Sequence, residues 1–205
     1  MNLPIQLTLL RILLTPVFVL FLFFGGPVLR IISFIVFTVA ALTDWYDGYT
    51  ARKFGNVSMW GKFLDPLADK ILVSSGFICF SVIGYIPAWM VLIIVVRDFF
   101  ITGLRSYAVI KGIPIVTSLF AKTKTFCQFG AIYLIFIYHI FTGGRYDDDV
   151  WIVFRRIHEM NLIYAMMVII TFFTLLSGFF YLVGNRSHLK QMASDFYHIF
   201  APSDI

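Results

Sequence analysis

Residues 64–83 read LDPLADKILVSSGFICFSVI. Asp65, Asp69 and Lys70 are confined to the start, and from Ile71 onward there is no charge. A helix rises 1.5 Å per residue, so about 20 apolar residues cross a hydrocarbon core of about 30 Å. This stretch is long enough to do so, and Gly84 and Pro87 close it. It therefore predicts a membrane-spanning helix with carboxylates gathered at one end. A carboxylate at the centre of a span costs about 2.5–3.5 kcal/mol even on the lenient insertion scale, so acidic residues in or beside spans mark function by default.

Five other stretches follow the same rule. They cover about 9–24, closed by Gly25-Gly26-Pro27; about 28–49; about 88–110, closed by Gly112 and Pro114; about 118–141, closed by Gly143-Gly144; and about 161–183, closed by Gly184. The expected fold is an all-α integral membrane protein of six transmembrane helices. Composition agrees: 60% of residues are hydrophobic and 13% charged, against about 45–50% and about 25% in soluble domains. That much apolar surface cannot fit inside a small core, so the bilayer must solvate part of it. At 205 residues the chain suits a single domain, residues 1–205. The N-terminal residues lack the basic region of a cleavable signal. Cys79 and Cys127 sit in apolar stretches without a metal-binding or redox spacing, and read as buried thiols.

Basic residues are unevenly distributed. Eleven of the sixteen, from Arg11 to Lys190, fall with the two termini and the 2–3 and 4–5 connections; Arg30, Arg145, Arg155 and Arg156 fall on the other side. The positive-inside rule then puts both termini in the cytoplasm. The net charge of +5 is scattered between spans, which fits contact with anionic lipid and argues against nucleic acid. Two segments have the pattern of amphipathic helices lying on the membrane surface: Trp151, Phe154 and Ile157 in the 5–6 connection, and Leu189, Met192, Phe196, Ile199 and Phe200 in the tail, about 185–205. Residues 2–8 could form a third.

Of the eleven acidic residues, Asp44, Asp47, Asp65, Asp69 and Asp98 lie in or beside spans. Asp44 and Asp47 are three apart at the cytoplasmic end of the second span; Asp65 and Asp69 are four apart at the start of the third. Each pair shares a helix face, and an antiparallel hairpin lets the two faces meet. Four close carboxylates repel unless cations neutralise them. With no His or Cys among them, the set suits a hard cation, Mg²⁺ or Mn²⁺, and its charge suits two ions. Paired ions of this kind serve phosphoryl transfer. Gly48, Ala51 and Gly61 leave room for a ligand to approach the backbone, and Arg52 offers a phosphate-matching fork. Taken singly, a glycine in a membrane helix usually serves packing, and two aspartates at a helix end can be a solvated cap. The whole set at fixed spacing is harder to explain that way.

Those residues, Asp44-x-x-Asp47-Gly48-x-x-Ala51-Arg52, then Gly61-x-x-x-Asp65-x-x-x-Asp69 after eight residues, resemble the signature of the CDP-alcohol phosphotransferases, with all eight fixed positions filled. The resemblance implies six helices, a homodimer, and a site opening to the cytoplasm from the inner membrane. It implies Mg²⁺ or Mn²⁺ on Asp44, Asp47 and Asp65. Asp69, the fourth carboxylate of the metal set, would be the base that deprotonates the acceptor. Thr43, Asp44, Gly48, Ala51, Arg52, Gly61 and Asp65 would hold the CDP group.

The acceptor is read first from charge. Arg97, Arg105, Lys122 and Lys124 cluster on the fourth and fifth spans. Arg105 and Lys122, and more weakly Lys124, would suit an acceptor carrying its own phosphate. The competing reading is membrane-surface charge, with Lys124 reaching out to headgroups. Arg97 reads as the structural partner of Asp98. Residues 2–140 also resemble the bacterial phosphatidylglycerophosphate synthases within that family. This implies CDP-diacylglycerol as donor and glycerol 3-phosphate as acceptor. Alternatives are another acceptor within the family, an intramembrane prenyltransferase, or a cation transporter; release of CMP separates the last two from the family.

Overall fold

The computed structural model describes residues 3–54, 59–110, 119–142, 161–186 and 189, with side chains over 6–43, 66–108, 123–142, 161–186 and 189. The amphipathic segments expected at 151–157 and 189–200 lie, Leu189 apart, outside the described residues. The described residues form six α-helices: α1 (Leu3–Phe23), α2 (Pro27–Phe54), α3 (Met59–Ile83), α4 (Ala88–Ile110), α5 (Leu119–Thr142) and α6 (Leu162–Gly184). Leu3 to Thr8 is the first part of α1 itself, continuous with the apolar stretch.

Local chemistry sets the helix ends. Gly25 and Gly26 take φ of 77° and 90° between α1 and α2, and Pro27 then opens α2, where a missing N–H costs nothing. Gly84 ends α3 at φ 97°. Its N–H donates to Ser81 O at 3.0 Å, and the Tyr85 N–H donates to Phe80 O at 2.9 Å. This is a Schellman cap, which needs a left-handed residue at Gly84. The links after α1, α2 and α3 are only a few residues long, so consecutive helices must run antiparallel. One end of the bundle thus gathers the start of α1, the end of α2, the start of α3, the end of α4 and the start of α5.

Among the described residues, four helical stretches are long and apolar enough to cross a membrane: residues 6–23, 66–83, 123–142 and 162–184. In α2 the described apolar stretch is residues 27–43, with Arg30 as its one charge. In α4 the apolar run is interrupted by Arg97 and Asp98 and followed by Arg105. In α4 it is charge, not length, that interrupts the apolar run.

α1 packs on α2 and α3, α3 on α4, and α6 on α4 and α5. The core centres on four phenylalanines from four helices. Phe18 meets Phe37 edge to face at 5.4 Å between centroids, Phe37 meets Phe136 at 5.3 Å, and Phe80 meets Phe136 at 4.8 Å. Large apolar residues also cover the outside, among them Leu13 on α1, Leu92 on α4 and Phe172 and Phe179 on α6. Polar residues are turned inward instead: Thr8, Arg11, Ser33, Ser74, Gln128 and Thr174 are all buried. Ser33 on α2 donates to Phe18 O on α1 at 2.8 Å. Apolar residues outside and polar residues turned inward is the arrangement a lipid solvent selects. Cys79 is buried as expected, but Cys127 is exposed on α5: it lies on the outward face, which the apolar pattern of that helix does not distinguish.

Candidate functional site

The eight fixed positions of the signature fall on two adjacent helices. α2 carries Asp44, Asp47, Gly48, Ala51 and Arg52, with Thr43 just before them; α3 carries Gly61, Asp65 and Asp69. Both helices run further than a bilayer-length reading expects. α2 continues past Asp47 to Phe54, and α3 begins at Met59, before Asp65. The acidic pairs therefore sit within helices, not at their ends. Pro66 lies inside α3 next to Asp65 and removes one backbone donor from the turn that carries it. The side chains of Asp44, Asp47, Gly48, Ala51, Arg52, Gly61, Asp65 and Lys122 lie outside the described ones.

Thr43, Asp69, Arg105 and Lys124 are described. Thr43 donates its hydroxyl to Ala40 O at 2.6 Å. Asp69 is partly buried, and Lys70 Nζ stands 2.9 Å from its Oδ2. Arg105, on the last turns of α4, is exposed. Lys124 is not: its exposure is 4%, and its ammonium donates to Asp98 Oδ1. It does not reach out to headgroups. The Arg97–Asp98 pair is present, with Arg97 Nη1 at 3.1 Å from Asp98 Oδ1.

Sequence reasoning missed how far that pair extends. Gln128 Nε2 donates to Asp98 Oδ2 at 3.0 Å. Arg97 Nη2 donates to Ser177 Oγ on α6 at 3.0 Å. Asp98, itself 2% exposed, thus joins α4, α5 and α6. Arg97 reaches α6 because Gly178 has no side chain: a Cβ there would come within 3.2 Å of Arg97 Nε and 3.3 Å of its Cγ. The available signal was the i, i+4 spacing of Lys124 and Gln128, two polar residues on one face of an apolar helix. Lys70 is near enough to act electrostatically on both Asp98 and Lys124, so the network borders the part of α3 that carries Lys70 and its neighbour Asp69. Lys124 also lines a cavity of about 290 Å³ between α5 and α6, with Thr123, Cys127, Phe173 and Ser177.

The signature thus lies on α2 and α3, and a network of Arg97, Asp98, Lys124 and Gln128 on α4 and α5, tied to Ser177 on α6, lies within electrostatic reach of Lys70 on α3. Residues 1–176 match the family model described as CDP-alcohol phosphatidyltransferase. The chain belongs to that family. Within it, the chain is 35% identical over 201 residues to the Bacillus subtilis (strain 168) protein named CDP-diacylglycerol--glycerol-3-phosphate 3-phosphatidyltransferase, covering 92% of this chain and 97% of that one. It is 39% identical over 137 residues to the protein of the same name from Rickettsia bellii, covering 65% and 74%. It is 40% identical over 134 residues to a probable phosphatidylglycerophosphate synthase of Mycobacterium tuberculosis, covering 64% of each. Members of the CDP-alcohol phosphatidyltransferase family generally depend on a divalent metal.

Proposed function

We propose that this chain transfers the phosphatidyl group of CDP-diacylglycerol to glycerol 3-phosphate, giving phosphatidylglycerophosphate and CMP. The observation that carries the reading is the complete signature on α2 and α3. The Bacillus subtilis relative, matched over 97% of its length, supports the choice of donor and acceptor.

The donor set fits a hard divalent cation: four aspartates on two adjoining helices, with no sulfur or imidazole in the signature. Asp44, Asp47 and Asp65 would hold two Mg²⁺ or Mn²⁺ ions, with the Asp69 carboxylate completing the set. Bound there, the ions supply Lewis acidity and charge neutralisation at the donor diphosphate. Gly48, Ala51 and Gly61 let the CDP group lie against the helix backbones, with Thr43 beside it. Arg52 takes charge on the departing CMP phosphate.

Asp69 receives the proton of the glycerol hydroxyl. The freed oxygen attacks the phosphorus attached to the diacylglycerol. A phosphorus–oxygen bond forms to glycerol as the one to CMP breaks, and CMP leaves with the electron pair. The proton on Asp69 then passes to water. Arg105 and Lys122 bind the acceptor phosphate from the aqueous side, and Lys124 binds it from the bundle side.

In this reading all six helices span the inner membrane, in a homodimer. The excess of basic residues on one side supports termini and site in the cytoplasm. That placement suits a reaction between a lipid donor and a water-soluble acceptor.

The test is CMP release by purified protein from CDP-diacylglycerol, with glycerol 3-phosphate, serine, inositol phosphate or phosphatidylglycerol as acceptor. Release is expected with glycerol 3-phosphate alone. Chelation should stop it, and Mg²⁺ or Mn²⁺ should restore it. Release with another acceptor would keep the family chemistry and replace the substrate. No release with any acceptor would sink the proposal.

A further inference from the structure

Asp98 is an unexpected residue to find at a phosphate-binding site. A carboxylate repels phosphate, so any help it gives must act through the groups it holds. It holds two cations. Lys124 and Arg97 both donate to Oδ1, and Gln128 donates to Oδ2. The carboxylate and the lysine are almost fully buried. With two positive charges and one negative, the cluster carries a net positive charge inside a lipid-solvated bundle. Arg97 Nε is buried with no partner among the described residues. A buried excess charge is unfavourable until an anion completes it.

Lys124 is the member of the cluster with donors to offer such an anion. An ammonium has three N–H donors, and Asp98 takes one of them from Lys124. The lysine lines the cavity between α5 and α6, and Lys70 beside Asp69 is within electrostatic reach. Lys124 is therefore anchored by Asp98 and lies within electrostatic reach of Lys70, the neighbour of Asp69 on α3. Gln128, one turn further along α5, holds the other carboxylate oxygen and stops the carboxylate from rotating.

We propose that Asp98 is a positioning residue for the acceptor: it holds the Lys124 ammonium, and the Arg97 guanidinium beside it, in the place where the phosphate of glycerol 3-phosphate is received. This rests on the reading above that Lys124 takes that phosphate. Two effects of removing the carboxylate oppose each other. By Coulomb's law alone, losing an anion makes the cluster more positive and tightens phosphate binding. But a buried lysine and a part-buried arginine without a counter-ion do not stay together. The lysine sheds its proton or swings out to the headgroups. Positioning thus predicts weaker acceptor binding where simple electrostatics predicts stronger.

The experiment is steady-state kinetics on the full-length protein, varying each substrate, with thermal melting to confirm folding. Asp98→Asn is expected to raise KM for glycerol 3-phosphate by about tenfold or more, with KM for CDP-diacylglycerol and kcat changed by less than about threefold. Asp98→Glu, which keeps the charge, should recover most of the loss. In the double variant with Lys124→Gln, the Asp98→Asn change should add nothing further, because both act through one ammonium. An unchanged or lower acceptor KM in Asp98→Asn, a common shift of kcat and both KM values, or additivity in the double variant would each overturn the proposal.

If Asp98→Asn does not fold, Gln128→Leu keeps every charge and frees only one carboxylate oxygen. It should raise the acceptor KM by about two- to threefold, and no change in folded protein would also overturn the proposal. The underlying reading fails separately. If Lys124→Gln leaves the acceptor KM unaltered, Lys124 is not a phosphate contact and the role of Asp98 falls with it. If the wild-type chain releases no CMP with glycerol 3-phosphate, the acceptor itself is wrong.

Discussion

Asp69 on α3 and Asp98 on α4 are both aspartates in helices of one bundle, and they are satisfied in opposite ways. Asp98 accepts from Lys124, Arg97 and Gln128 and is 2% exposed. Asp69 is partly buried and has one partner among the described residues, its neighbour Lys70 at 2.9 Å. A carboxylate has about four lone-pair sites. Three donors leave Asp98 little room for a fourth and no path for a proton. Among the described residues Asp69 meets one donor against three for Asp98, and it is part exposed. That contrast fits a carboxylate that does chemistry beside one that holds other groups.

The comparison breaks most sharply at Asp69. If Asp69 is the base, Asp69→Asn keeps the shape and removes it, so CMP release with glycerol 3-phosphate should fall by about 10²–10⁴-fold. Stability should hardly move, because a partly exposed pair with an adjacent lysine contributes about 0–1 kcal/mol. Loss of activity together with a large drop in melting temperature would show that Asp69 is structural after all.

The opposite pattern is expected at Asp98. Asp98→Leu leaves Arg97 and Lys124 buried without their counter-ion, and removing one partner of such a set costs about 3–5 kcal/mol. Denaturation in detergent should show that loss. Adding Lys124→Met, which removes the stranded cation, should recover part of it. A single Asp98→Leu variant as stable as the wild type would mean that water, not Asp98, already satisfies the two cations.

The two carboxylates also differ in how far the sequence reveals them. Asp69 is legible because its meaning lies in spacing along the chain: Asp44, Asp47, Gly48, Ala51, Arg52, Gly61, Asp65 and Asp69 recur at fixed intervals. The helices were legible for a similar reason, since an apolar run is a local property, and the expected 88–110 stretch coincides with α4. What the run misses is helix beyond the apolar part. The expected stretch of about 28–49 stops short of Phe54, because Thr50 to Phe54, with Arg52 and Lys53, add helix that is not apolar. Asp98 was only half legible. Its adjacent partner Arg97 could be read, but Lys124 and Gln128 arrive from another helix, and no periodicity along one helix says what faces it. The burial of Lys124 follows from that missing contact: without Asp98 in view, a lysine near a helix end is expected to reach for headgroups.

The smallest expected effect compares two glycines at helix crossings. A Cβ on Gly76 would stand 3.3 Å from Ile132 Cδ1 and 3.6 Å from Phe37 Cε2; one on Gly178 would stand 3.2 Å from Arg97 Nε and 3.3 Å from Arg97 Cγ. The intrusions are almost equal, so steric size alone predicts equal outcomes. The neighbours differ in how they yield. Ile132 Cδ1 is the free end of a flexible side chain among apolar atoms, and a small rotation relieves it at no cost in hydrogen bonds. A helical Gly→Ala change also gains up to about 1 kcal/mol in propensity. Gly76→Ala should therefore lie within about 0.5 kcal/mol of wild type or be slightly more stable. Arg97 has no such freedom, because Nη1 is tied to Asp98 and Nη2 to Ser177. Moving its Cγ and Nε by a few tenths of an ångström stretches both bonds, so Gly178→Ala should lose about 1 kcal/mol. If Asp98 positions the acceptor-binding cations, Gly178→Ala should also raise the glycerol 3-phosphate KM slightly while Gly76→Ala leaves it alone. Parallel melting curves and acceptor titrations of the two variants would check this. Equal behaviour would mean that the Arg97 bridge to α6 is slack, and that the network stops at Asp98, Lys124 and Gln128.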